Sequence, residues 1–102
     1  MARNPNTDLN GRPFAHTTVN AVWNKGRVIS GYDPGTWRYD ITGKPMRFSE
    51  YGNTNSEYGW EVDHIKPVAR GGSDDLSNLQ PLQWANNRRK GDTYPWSGLA
   101  AA

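Results

Sequence analysis

The sequence predicts an α+β fold in one small domain, and three observations carry that prediction. The chain has 102 residues, enough for a single core, since domains usually run to about 100–150 residues. Apolar or ring-bearing residues alternate at Trp37, Tyr39 and Ile41 and again at Trp60, Val62 and His64. That is the two-residue period of a strand with one face turned inward. Val19, Val22 and Trp23 recur instead at helical spacing, and 84–90 reads as a short helix closed by Gly91.

Each element follows in order. Residues 1–13 are polar, carry Pro5, Gly11 and Pro13, and show little periodicity. They read as a flexible arm. Their start, Met1-Ala2-Arg3-Asn4-Pro5-Asn6, has no apolar stretch of the kind a secretory signal needs. The domain proper is expected over 14–96. It opens with a helix over 17–25, capped by Thr17 or Thr18 and ended by Gly26. Residues 27–30 are extended, and Asp33-Pro34-Gly35 marks a turn. A strand through 37–41 and a second over 46–48 form a hairpin around Thr42-Gly43-Lys44-Pro45. Residues 49–59 are a polar loop. A strand over 60–65 ends ahead of Pro67, which cannot donate to a ladder. After a loop at 70–75 and a short turn, a second strand is expected near 79–82, followed by the helix at 84–90. Tyr94-Pro95-Trp96 is expected to pack back, and 97–102 to form a disordered tail.

Composition narrows the function classes. Hydrophobic residues make up 34% of the chain, and mean hydropathy is -0.92. Five Trp, five Tyr and two Phe offset this, so the core is expected to be built on rings. No run approaches the roughly 18 apolar residues of a membrane span, so no membrane partner is expected. The absence of cysteine excludes disulfides and thiolate zinc sites. It is compatible with a reducing, cytoplasmic setting. The net charge of +2 permits a nucleic-acid partner without demanding one.

The chemistry concentrates in the second half. His64 stands beside Asp63, Asn78 follows in a turn, and Asn87 lies on the short helix ahead of Arg88-Arg89-Lys90. With the Gly71-Gly72-Ser73 loop and Asn78-Leu79 between them, residues 61–91 resemble the motif of the HNH endonucleases. Residues 49–60 also resemble the lead-in of some bacterial and phage members. The resemblance implies a ββα-metal (His-Me finger) fold: two short antiparallel strands and a helix around one divalent cation, with the core motif at 60–91. It implies a metal-dependent endonuclease that hydrolyses DNA phosphodiester bonds. On that reading His64 is the general base, Asp63 the first metal ligand, and Asn78 the residue that holds the loop and helps orient His64. Asn87, in place of the more usual His, is the second ligand. Many relatives carry two cysteine pairs on a structural zinc. Here Tyr39, Thr42, Gln83 and Asn86 occupy those positions, so no structural zinc is implied. Packing of Trp37, Tyr39, Trp60 and Trp84 is the expected substitute.

Elementary chemistry agrees with these roles. An imidazole with an unperturbed pKa of about 6.5 is ready to accept a proton at neutral pH. Oxygen ligands suit Mg²⁺ or Mn²⁺ better than zinc. Neighbouring strand residues face opposite sides, so Asp63 and His64 can meet one phosphate only if the strand end bends or the substrate straddles it. Arg88, Arg89 and Lys90 are candidate phosphate contacts, with Lys66 and Arg70 as weaker ones; a solvated helix end is the plainer alternative. His16 reads as a surface residue, and Asp74 and Asp75 as loop or capping residues. The expected partner is double-stranded DNA, with single-stranded DNA a second option. A catalytically silent DNA-binding module of the same shape is the alternative function. No reader of base edges is visible, and the oligomeric state is left open.

Overall fold

The aromatic and β-branched residues of the N-terminal half segregate as their spacing predicts. In the computed structural model, which describes residues 3–98, Val19, Val22 and Trp23 line the inner side of α1 (His16–Trp23). The helix starts one residue earlier and stops two earlier than its periodicity suggests. Ala15 takes the N-cap without a side-chain bond, and Thr17 and Thr18 lie inside the first turn. At the other end Arg38 donates to the carbonyls of Asn24 and Gly26, satisfying groups the helix leaves open.

Three short strands follow: β1 (Arg27–Val28), β2 (Trp37–Tyr39) and β3 (Pro45–Arg47). They form an antiparallel sheet in the order β1-β2-β3. Ile41 does not continue β2. It sits in the turn, 66% exposed, because Asp40 directs its side chain inward and the backbone closes on itself from Gly43 N to Asp40 O.

The second sheet is the pair β4 (Trp60–His64) and β5 (Leu79–Gln83), antiparallel from Trp60↔Gln83 to His64↔Leu79. α2 (Trp84–Lys90) follows β5 without a loop, and Gln83 caps it by accepting the Asn86 N–H. This is a ββα unit. Pro81 is tolerated because Val62 opposite it sends its N–H the other way, which marks a pair without ladder bonds. Every residue of β4 is buried, so the expected alternation of a covered and an open face is replaced by cover on both. Trp60 and Val62 enter the core beside Val19, Val22, Trp23, Met46 and Leu79, with Phe14, Phe48 and Tyr51 packed around it. Trp23 and Tyr51 stack against Trp60 at 5.0 and 4.8 Å. Glu61 and Asp63 turn under α2.

The two halves are joined by Asp40. Its carboxylate, 2% exposed, accepts the Gln83 N–H and the Asn86 amide at 3.0 Å each on one oxygen. The other oxygen takes Thr42 N, Thr42 Oγ1 and Lys44 N. Thr42, Gln83 and Asn86 therefore do converge, but on a carboxylate. The expected aromatic staple is not the join: Trp37 and Trp84 are only half-buried.

Residues 3–13 contain no helix or strand, yet they are held against the domain. Asn6 Oδ1 accepts Val62 N–H at 2.8 Å and the Tyr51 hydroxyl at 2.9 Å, and Leu9 N–H donates to Asp74. At the other end Arg89 lies over the Trp96 ring, so the 94–96 segment packs back. The expected disordered tail at 97–102 falls mainly on 99–102, outside the described residues. No helix among the described residues is long and apolar enough to cross a membrane.

Candidate active site

The chain brings its predicted chemistry to the edge of β4 away from β5. No named strand pairs there: Trp60 bridges to Tyr51, Asn6 accepts the Val62 N–H, and Lys90 donates to the His64 carbonyl. A cleft of about 170 Å³ runs there, lined by Asp63 and His64 from β4, Asn87 and Arg88 from α2, and Arg3 and Asn6 from the arm. Asp63 and His64 occupy successive positions, and the edge gives one cleft access to both.

His64 is 8% exposed. Its ring packs 5.8 Å from Phe14, and its Nε2 lies 2.7 Å from Asp74 Oδ1. A carboxylate can only accept, so a neutral ring carries its proton on Nε2 and keeps its lone pair on Nδ1. Asp74 is itself fixed by the Leu9 N–H at 3.0 and 3.1 Å to its two oxygens. Partial burial pushes this carboxyl upward, but the His64 and Leu9 hydrogen bonds outweigh it and hold the group below its ordinary range.

Asn78 sets where Asp74 stands. Its Oδ1 accepts Lys66 N–H at 2.8 Å, while its amide donates to Lys66 O and Ser73 O at 3.1 and 2.8 Å. One side chain thus ties the segment after His64 to the residue before Asp74. Gly72 makes the approach possible, because a Cβ there would lie 1.7 Å from Lys66 O. Gly71, at φ +88, supplies the preceding left-handed turn.

Asp63 turns the other way, toward α2. Its Oδ2 accepts the Gln80 amide at 3.0 Å, and its Oδ1 lies 3.3 Å from Lys90 Nζ. Burial pushes this carboxyl above its ordinary range; the Gln80 amide and the Lys90 ammonium hold it back. Asn87 donates its amide to Glu61 Oε1 at 2.9 Å, and Arg88 forms a two-pronged pair with both Glu61 oxygens at 2.6 and 3.0 Å. Glu61 thereby fixes which end of the Asn87 amide is free, leaving Oδ1 as an unshared acceptor.

Asp63 and Asn87 are the oxygen donors that a hard divalent cation would use here. A carboxylate has about four acceptor sites, and Asp63 uses two, one of them at a distance beyond the usual 2.7–2.9 Å or so of a charged hydrogen bond. Asp63 and Asn87 are both oxygen donors on one cleft. Among the described residues no group of three or more His, Cys, Asp or Glu could hold a metal. A cation here therefore needs the Asn87 amide and oxygens from substrate or water.

The predicted phosphate contacts fare differently. Lys90 is corrected: it is 2% exposed, with its ammonium on Asp63 and the His64 carbonyl at 2.9 Å, so it faces inward. Arg88 is engaged by Glu61, Arg89 by Trp96, and Arg70 by the Asp92 carbonyl. Lys66 is exposed. Sequence reasoning missed Asp74 as the imidazole partner, Glu61 as the holder of Asn87, and Asn6 at the strand edge. Asp74 lay in view as a loop acid between the two motif strands; nothing local marked the other two.

Residues 48–93 match the model of the family described as HNH endonuclease. No curated protein and no solved structure matches the chain significantly.

Proposed function

We propose, from the match of residues 48–93 to the HNH endonuclease family, that the protein hydrolyses DNA phosphodiester bonds in the cleft along β4. The observation that carries this reading is the convergence of His64, Asp63 and Asn87 on one cleft from two elements. His64, with Nε2–H held by Asp74, takes a proton from water through its other ring nitrogen. The water oxygen attacks phosphorus and one P–O ester bond breaks; the leaving oxygen takes a proton from a second water, so the products are a phosphate monoester and a free hydroxyl. The proton then leaves His64 for solvent. Asn78 acts through the loop, keeping Asp74 against the imidazole. Asp63 and Asn87 would hold Mg²⁺ or Mn²⁺, which when bound supplies charge neutralisation at the phosphate and the leaving oxygen.

A plasmid-nicking assay tests this. Cleavage should require Mg²⁺ or Mn²⁺ and stop with EDTA. His64→Ala should lower the rate by at least about 100-fold, the usual share of a general base, while circular dichroism shows the variant still folded. Full cleavage by that variant refutes the assignment. Asp63→Ala and Asn87→Ala should raise the metal concentration needed for half-maximal nicking. One observation favours the silent DNA-binding module: the Lys90 ammonium already sits beside Asp63 as a resident cation. That reading predicts DNA binding with no nicking under any divalent metal.

A further inference from the structure

Most of the N-terminal half lies outside the matched segment, and the three-stranded sheet it forms has no part in the cleft. Cross-strand register sorts its side chains cleanly. Arg27 stands opposite Tyr39, and Trp37 opposite Arg47, all on one face. Val28, Arg38 and Met46 occupy the other, with Met46 in the core. On the first face the Arg27 guanidinium lies 5.3 Å from the Tyr39 ring centre, and that of Arg47 lies 5.8 Å from Trp37. Tyr58 packs edge-on against Trp37 at 4.9 Å. Arginine–ring contacts of this kind occur about once per 70–80 residues, so two side by side in one small sheet is a dense arrangement.

The charge on this face is open. Arg27 and Arg47 are exposed, and neither forms an ion pair or a side-chain hydrogen bond among the described residues. Elsewhere Arg3, Lys25, Arg38, Arg70, Arg88 and Lys90 are engaged by protein oxygens. Lys44, on the β2–β3 turn, adds an exposed cation. Two nearby acids keep their charge but pair with neither arginine: Asp40 is buried, and Asp33 accepts from Gly35 N–H and Thr36 within its own turn. Glu57 stands at the rim beside Tyr58. A guanidinium held over a ring loses little further freedom on binding, and its fork of N–H donors matches the oxygens of a phosphate.

We propose that this face of the β1-β2-β3 sheet is a docking surface for the phosphate backbone of duplex DNA, with Arg27 and Arg47 as its contacts and Tyr39 and Trp37 as their supports. The inference rests on DNA being the substrate of the cleft. It supplies the backbone grip that the inward-facing Lys90 and the engaged Arg88 do not.

The test is binding of a labelled random-sequence duplex across a salt series, by fluorescence anisotropy without divalent ions, in the full chain carrying His64→Ala. Adding Arg27→Ala and Arg47→Ala should weaken binding about tenfold at physiological salt. It should also reduce the slope of log affinity against log salt by about 1.8, at about 0.9 per phosphate contact. Adding Arg27→Lys and Arg47→Lys should keep most of the slope. Affinity and slope unchanged in the alanine variant overturn the proposal. Nicking by otherwise wild-type Arg27→Ala/Arg47→Ala protein should show a raised KM and an unchanged kcat. The two readings fail separately. Arginine-dependent binding without any nicking sinks the nuclease assignment alone. Nicking with arginine-independent binding sinks the docking surface alone.

Discussion

Single side chains hold the loop that carries Asp74, and Gly72 is the tightest point. An added methyl group there meets backbone, which cannot swing aside. Gly72→Ala should therefore cost about 3 kcal/mol, at the upper end of overpacking penalties, and should slow nicking by displacing Asp74. Gly71 has open space around its Cβ position and only an unfavourable φ, so Gly71→Ala should cost about 1 kcal/mol. Urea melts of the two variants check the difference. Asp74 also predicts an acid limb. Its folded carboxyl titrates below its unfolded value, so its contribution is present above about pH 4 and is lost as pH falls through the depressed value. Asp74→Asn should flatten the fall in stability below about pH 4, followed by denaturant midpoints across the acid range.

At the scale of elements, periodicity located what is periodic. The β4–β5 pair, α2 and the core side of α1 follow from alternation, helical spacing and the Gly91 stop. Sequence order also placed His64, Asn78 and Asn87 near one another, because 61–91 carries a recognisable local pattern. It did not show what faces what across the chain. The run Arg88-Arg89-Lys90 reads as one basic patch, but successive helical positions point about 100° apart, and only Lys90 falls beneath the β4 edge. Asp40 falls inside the strand expected over 37–41, yet its partners lie more than forty positions away at Gln83 and Asn86. Asp40→Ala would leave the Gln83 N–H and its neighbours unsatisfied in a dry site. A loss of about 3 kcal/mol or more is expected, at about 1–3 kcal/mol per orphaned group, read by thermal melting.

For the whole molecule, the largest departure from the sequence reading is the arm. Polar composition says that a segment lacks its own secondary structure; it does not say whether another element holds it. Here Asn6 accepts the N–H that β4 offers at its open edge, and Leu9 braces the acid behind the imidazole. Asn6→Ala should raise hydrogen exchange at the Val62 amide and lower stability by about 1–3 kcal/mol, the cost of an unsatisfied buried donor. The proposed chemistry uses the same edge, so the nicking rate should fall in the same variant.

The Asp40 junction has one further consequence. Where the clasp between hairpin and helix is a carboxylate and its N–H and O–H donors, no thiol takes part in it. EDTA should leave the far-ultraviolet circular dichroism spectrum unchanged at a concentration that stops nicking. Folding and chemistry in this protein answer to different solutes.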